Sequence, residues 1–490
     1  MRITRFKCWL GATLLYGYLF YDQSAGINFL LFNVALLAGL FSLYPTLRQR
    51  RAVVTVAIGC LLTALNVVWH PTWPAVLMNL ISLLGLAGLS AHPESSLLVA
   101  WINSGYSLIA SFWKHTLGRM ISRPMLVPGD PEGKSTPPVV AGITAGKVVS
   151  QLIPLLVVGA FFLLYTQASP AFSALFGQLS LDFISGWWVI FTLFGGYLLL
   201  TVFYPTAIHP LVRIDLATAN ELTRQQRTHP YGFNPVGLRY EYRSAWWLFV
   251  MLNGLLFLFN AVDIYYLITA RLPEGVTHAD FVHQGVNTLI ASVVLAIAVV
   301  MYFFRGNLNF LQKGAHLRTA AYLWIVQNAV LIGATASKNF SYISEFGLTH
   351  KRIGVYLYLL LTLIGLITTY IKVREIKTNW FLLRRNAWLF YAVLVLFSSV
   401  DWSRAITRYN LVHLSSAEVD VEYLIYLSDT NLDLLERAQW ERALPLRQAR
   451  NIQERITNFV EQENREGWLS WNYAEHQVYQ RLRDQSSNAR

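Results

Sequence analysis

The chain has 490 residues, 54% of them apolar and 13% charged, with a formal charge of +12. That charged share is about half the usual value for a soluble domain. Mean hydropathy is +0.40. These figures exclude a disordered chain and argue against an ordinary cytoplasmic enzyme.

The positive charge is unevenly placed. From Ser403 onward there are 11 arginines and 13 acids, so the tail sits near −2 and the remainder near +14. Lysine and arginine collect in the cytoplasmic loops of membrane proteins, so the excess predicts no nucleic-acid partner. The two cysteines, Cys8 and Cys60, lie inside apolar segments and supply neither a disulfide framework nor a thiolate metal site.

In chain order, a basic Met1–Lys7 precedes the apolar run Cys8–Tyr21. Gln23 and Ala25 make a poor cleavage pair, so the run is read as an uncleaved first helix. Ile27–Tyr44, Ala52–Trp69 and Ala75–Ser90 follow, then Leu97–Trp113, Val148–Tyr165, Ile184–Tyr204, Ser244–Leu267, Gln284–Phe304, Thr319–Ala336, Ile353–Ile371 and Asn386–Trp402. A span needs about 20 apolar residues.

Connectors fall into two groups. The N-terminus, Pro45–Arg51, Lys114–Lys147, Pro205–Arg243, Arg305–Arg318 and Lys372–Arg385 hold 24 Lys or Arg. The others hold only Arg271, Lys338, Lys351 and Arg352. The groups alternate strictly only if one segment does not cross. Leu97–Trp113, interrupted by Asn103, Ser104, Ser107 and Ser111, is the natural exception and is expected to be an interfacial amphipathic helix.

The expected fold is an all-α polytopic transmembrane bundle of about 11 crossings plus one interfacial helix, with a small helical extramembrane tail. Residues 1–113 form the first helices, 114–147 a cytoplasmic loop, 148–402 the main bundle and 403–490 the tail. The N-terminus is expected inside and the C-terminus outside. In the tail, Ala443–Val460 and Trp468–Leu482 are predicted helical, with a break at Gly467. Tyr44-Pro45-Thr46 and Tyr204-Pro205-Thr206 each end a helix at the basic side, a weak hint of duplicated halves. The Gly-Lys-Ser at 133–135 lacks the glycine spacing of a phosphate loop.

Ionisable groups at membrane depth need a partner or water. At about 1.5 Å per residue, Asp263 lies roughly 30 Å beyond Arg243, and Asp401 roughly 24 Å beyond Arg385. Both therefore reach the outer level, along with the residues flanking neighbouring helices. The candidate ligand site is Asp263, His278, Asp280, His283, Glu345, Arg352 and Asp401, with Lys338 and Arg404 beside it. The competing interpretation is a ring of interfacial salt bridges and helix caps. His278, Asp280 and His283 have suitable ligand chemistry but no recognised zinc spacing, so neither metal nor cofactor is expected. Gln327, Asn328, Asn253, Asn260, Asn66 and Asn79 read as amide glue between helices.

Three stretches carry a resemblance: residues 260–267 (NAVDIYYL), 275–286 (GVTHADFVHQGV) and 345–353 (EFGLTHKRI), with 420–427 (DVEYLIYL) after the last span. They resemble a family of bacterial multi-pass membrane proteins known as a domain of unknown function, over roughly Val148 to Asn431. The resemblance implies a bacterial cytoplasmic-membrane setting and no particular reaction, substrate or cofactor.

Three functions stay open. One is a non-enzymatic envelope scaffold or sensor whose tail engages an envelope protein. A second is a transporter or channel for a small solute, using the mid-helix amides. The third is a membrane enzyme acting on a lipid-linked substrate at the outer leaflet, with His283 as base and Arg352 holding an anionic head group.

Overall fold

The computed structural model describes residues 2–114, 185–224, 235–269, 278–311, 314–415, 418–442 and 444–488, with four isolated positions between 158 and 168. For 2–3, 235–236, 278–290 and 485–488 only the backbone is described. The chain is an all-α membrane bundle; the one non-helical pairing among the described residues is a bridge from Glu221 to Lys377.

The helices are α1 (Arg2–Phe20), α2 (Ile27–Leu43), α3 (Arg51–Trp69), α4 (Trp73–Ala91), α5 (Leu97–Phe112), α6 (Gly186–Phe203), α7 (His209–Ala217), α8 (Pro235–Thr269) and α9 (His278–Phe303). They continue as α10 (Gly314–Phe346), α11 (His350–Arg374), α12 (Asn379–Phe397), α13 (Trp402–His413), α14 (Val421–Ile425), α15 (Leu432–Glu441), α16 (Leu446–Arg465) and α17 (Tyr473–Asn488). Side-chain caps set several starts. The Ser96 hydroxyl accepts from the Val99 amide, Thr349 from Arg352, Thr378 from Phe381, and the Asp401 carboxylate from Arg404. Each satisfies an amide that the first turn leaves without a partner.

Among the described residues, seven helices are long and apolar enough to cross a membrane: α3, α4, α6, α8, α10, α11 and α12. Four more crossings were expected. Of these, α1 opens with three basic residues, α2 has 17 residues, and α9 enters as a shorter apolar stretch, Ala291–Phe303. Val148–Tyr165 and the 114–147 loop, apart from Lys114 and single positions, lie outside the described residues.

The chain divides into two compact units. The first comprises Met1–Ala64, Asn79–Val212 and Gly467–Ser470. Here α1 runs antiparallel to α6: Trp9 Nε1 donates to the Gly196 carbonyl, Tyr16 stacks on Phe191 at 4.9 Å, and the Tyr21 and Ser185 hydroxyls meet at 2.8 Å. Asn79 Nδ2 reaches the Cys60 carbonyl, Thr63 Oγ1 and Asn33 Oδ1, a buried amide knot of the expected kind.

The α5 helix forms where expected, but its polar side faces protein. Ser104 donates to the Leu84 carbonyl, and Asn103 and Ser107 accept the amides of Ile208 and Thr206, while Ile102, Tyr106 and Ile109 are exposed. The interrupting polar residues are thus a packing face, which periodicity alone cannot distinguish from a wet one. A Cβ on Gly88 would lie 2.1 Å from the Ala100 carbonyl oxygen, so α4 and α5 touch backbone to backbone there.

The second unit comprises Leu65–Met78, Arg213–Glu466 and Trp471–Arg490. Its bundle centres on Phe249, Val300, Phe304, Leu317, Trp324 and Val373, continuing through Val293, Ile325, Leu331 and Leu366. The tail has a core of its own, in which Ile406, Leu424, Leu432, Leu435, Ile452, Phe459, Val478 and Leu482 pack with Ile353 of α11. Its last two helices, α16 and α17, match the expected pair and are separated by the break around Gly467.

Within each unit the basic connectors gather at one end and the charge-poor ones at the other. In the first, Arg5 sits over the rings of Tyr44 and Tyr204, and Ser24 meets Ser470 at the far end. In the second, Arg384 pairs with Asp215 and Lys377 with Glu221 at one end. At the other, Asn66 donates to Ser398 and Ser399, and Leu348 bonds the tail.

Candidate functional site

The α8 and α10 helices pack side by side and parallel. Asn253 Nδ2 donates to the Ala320 carbonyl and Asn260 Nδ2 to the Gln327 carbonyl, each 67 residues ahead, and this constant offset defines a parallel pair. Gln327 Nε2 donates to Asn253 Oδ1, closing an amide ladder. Asn253, Asn260 and Asp263 are spaced seven and three apart, which keeps them on one side of α8.

Beyond the ladder lies a buried ion pair. Lys338 Nζ donates to Asp263 Oδ1, with the two side chains 9% and 8% exposed. Removing the Lys338 ammonium would leave the Asp263 carboxylate buried in a low-dielectric seam without its cation. Three acceptors on this seam, Asn260 Oδ1, Gln327 Oε1 and Asp263 Oδ2, are buried without a hydrogen-bond partner. Asn328, the neighbour of Gln327, instead bonds back to the Trp324 carbonyl within α10.

Next to Lys338, Asn339 Nδ2 donates to the Arg352 carbonyl. Arg352 closes the end of α10: its guanidinium donates to the Phe346 carbonyl at 2.7 Å and to that of Gly347, and lies 4.2 Å from the Tyr342 ring centre. A cation on the last carbonyls of a helix also complements its dipole. The same turn is fastened to the tail. Leu348 exchanges two hydrogen bonds with Asn410, and the His350 amide donates to the Tyr423 hydroxyl. Gly347 makes this possible with φ at +77°. A Cβ there would lie 2.7 Å from both Asn410 Oδ1 and Leu414 Cδ1.

A family described as domain of unknown function DUF4153 matches residues 10–438. The chain belongs to this family. The match covers the first helices as well as the Val148–Asn431 region that carries the motifs. No curated protein and no solved structure matches the chain.

Three of the four stretches that carry the resemblance are linked through α10 and the Arg352 turn, while the fourth, 275–286, has no side chain among the described residues. Asn260 and Asp263 come from 260–267, the Arg352 turn from 345–353, and Tyr423 from 420–427. The other expected residues fall at the ends of neighbouring helices. Glu345 is exposed. Asp401 caps α13 through Oδ1, leaving Oδ2 buried without a partner. Arg404 turns into the tail, onto Asp433. His278, Asp280 and His283 fall on the first turns of α9, which begins earlier than expected, and their side chains lie outside the described residues. Among the described residues, no three His, Cys, Asp or Glu side chains group as metal ligands would.

The tail has its own electrostatics. Asp433 accepts from Arg404 at 2.7 and 2.8 Å and from Arg481 at 2.7 Å. Burial opposes its ionisation, but these two guanidinium groups outweigh burial and hold the carboxyl below the usual range. Glu463 and Glu475 go the other way, each pushed up to about 7 by burial and then by neighbouring acids. Asn410, Asp433 and Arg481 were not expected as site residues, because nothing in their local pattern marks the elements they would meet.

Proposed function

We propose that this DUF4153 protein is a non-enzymatic scaffold or sensor of the bacterial cytoplasmic membrane, its amino terminus inside and its folded tail outside, engaging another envelope protein. One observation carries the reading: the Gly347–Arg352 turn bonds simultaneously to tail residues Asn410 and Tyr423 and to α10 beside Lys338. A load on the tail therefore has a bonded route to the buried ion pair. The tail also exposes Leu446 at 91%, Tyr426 at 83% and Trp440 at 76%, apolar side chains suited to a partner. The clustering of basic connectors at one end of each unit supports the orientation.

The test is amide hydrogen exchange on the full chain in lipid nanodiscs, comparing wild type with Asn410→Ala. Coupling predicts exchange around Lys338 faster by about fivefold or more, on the scale of local opening, with α1 unaffected. Loosening confined to the tail would reject the reading.

A second reading rests on the three unpartnered oxygens of the seam. Acceptors lined up beside an intramembrane carboxylate suit a proton or cation path. Proteoliposomes carrying an internal pH dye test it: flux abolished by Asp263→Asn would favour transport, and equal, background flux in both would remove it.

A further inference from the structure

The first unit contains a cavity of about 300 Å³ at its basic end. Its wall carries Arg5, Lys114, His92 and His209, together with the hydroxyl residues Ser90 and Thr206. No acidic residue is among the described residues that line it. That distinguishes it from the Asp263, Asp215 and Asp433 sites, where each carboxylate holds a basic partner.

Arg5 is held in place rather than loosely displayed. The Arg5 guanidinium lies 5.3 Å from the Tyr44 ring centre and 5.5 Å from that of Tyr204. These are the tyrosines of the two Tyr-Pro-Thr repeats, so both repeats serve one arginine. Aromatic faces on a guanidinium fix its position without neutralising its charge. The His92 and His209 rings face each other edge to face at 6.0 Å. Burial, then the neighbouring His209, keeps His92 below the ordinary histidine range, as expected where like charges crowd one wall. Helix α7 starts at His209, adding the partial positive charge of a helix amino end. Thr206 is itself fixed, its amide bonded to Ser107 and its hydroxyl to Ser111.

We propose that this cavity binds a phosphate group. Arginine and lysine supply the charge, and the histidines and the Thr206 hydroxyl, which accepts from Ser111, supply donors for the remaining oxygens. Basic pockets between transmembrane helices suit anionic lipid head groups, and a free phosphate offers the same chemistry.

The experiment uses full-length protein and native mass spectrometry. Phosphatidylglycerol is compared with phosphatidylcholine, and inorganic phosphate is added as a competitor. Variants are the double Arg5→Gln/Lys114→Gln, the milder His209→Gln, and Arg50→Gln, whose exposed side chain pairs with Glu94 outside the cavity. The proposal expects retention of phosphatidylglycerol to fall roughly 25-fold in the double variant, about fivefold per lost cation. A smaller fall is expected in His209→Gln and none in Arg50→Gln. Lipid retention that resists inorganic phosphate assigns the site to a head group. Thermal stabilisation by phosphate without lipid retention, lost in His209→Gln, assigns it to a soluble phosphate. Absence of both in wild type, or equal losses in Arg50→Gln, overturns the proposal. Should the double variant fail to fold, His209→Gln against Arg50→Gln decides by the same criterion.

Discussion

The Asp263–Lys338 pair and the Asp433 cluster use the same chemistry in different surroundings. Asp263 has one cation, a buried second oxygen without a partner, and a wall of helix around it. Asp433 has two arginines on both oxygens, and Arg481 is half exposed. A carboxylate at a wet boundary can recruit several donors and release them into water. Inside a helix seam, Asp263 faces the Lys338 ammonium with little water to replace it, so the pair is costly to break and sensitive to shifts of either helix. Ion pairing alone therefore does not say how much a site contributes; the surroundings of the charges decide.

The largest effect expected is at the dry pair. Asp263→Ala takes the carboxylate away from the buried Lys338 ammonium and should cost about 3–5 kcal/mol in equilibrium unfolding in mixed micelles. The double variant Asp263→Ala/Lys338→Met should regain most of that loss. A tolerated Asp263→Ala would show that the seam is wetter than its burial indicates.

Next comes the turn that joins the two regions. Gly347→Ala forces a side chain into left-handed backbone, which costs about 1–2 kcal/mol, and pushes on Asn410 as well. It should lower the unfolding midpoint, whereas Gly254→Ala on α8, with open space around it, should not.

The tail can be probed with pH. Glu463 and Glu475 have folded values of about 7, above the ordinary carboxylate value of 4.5. The folded tail therefore binds these protons more tightly than the unfolded chain. Their stabilisation is complete below about 4.5 and is lost as pH rises to about 7. Asp433 has the opposite sign: its contribution is present above the ordinary value and is lost as pH falls through its lowered folded value. Thermal melting followed by tryptophan fluorescence should show the tail weakening between pH 5 and 7. Glu463→Gln/Glu475→Gln should flatten that slope, and a slope unchanged by the double variant would contradict the assignment. The smallest effect is expected at Arg437, whose exposed partner Glu441 lies one turn away. Arg437→Ala should change stability by about 0.5 kcal/mol or less.

Much of this organisation was legible in the chain. Apolar runs separated by basic and charge-poor connectors mark the helix ends, because spanning length and loop charge are local properties. Asp263 and Lys338 stood out as charges at one outer level, and level follows from counting residues along a helix. Their pairing did not follow, since the relative rotation of α8 and α10 is set by packing. Arg352 was read as a member of the same candidate site; its role as the cap of α10 did not follow, because the Gly347 turn that directs it back onto the helix end is a matter of folding. The serines of α5 read equally well as facing water or protein. The cavity around Arg5 was invisible because its wall draws on α1, α4, α6 and Lys114 beyond α5, which are far apart in sequence.

The most direct test of coupling between tail and seam is a double-mutant cycle between Asn410→Ala and Asp263→Asn, read as unfolding free energy of the full chain. The two residues share no contact, so independent sites should add within about 0.3–0.5 kcal/mol. A bonded route through the Gly347–Arg352 turn predicts a coupling energy of about 1 kcal/mol or more. Simple additivity would contradict it.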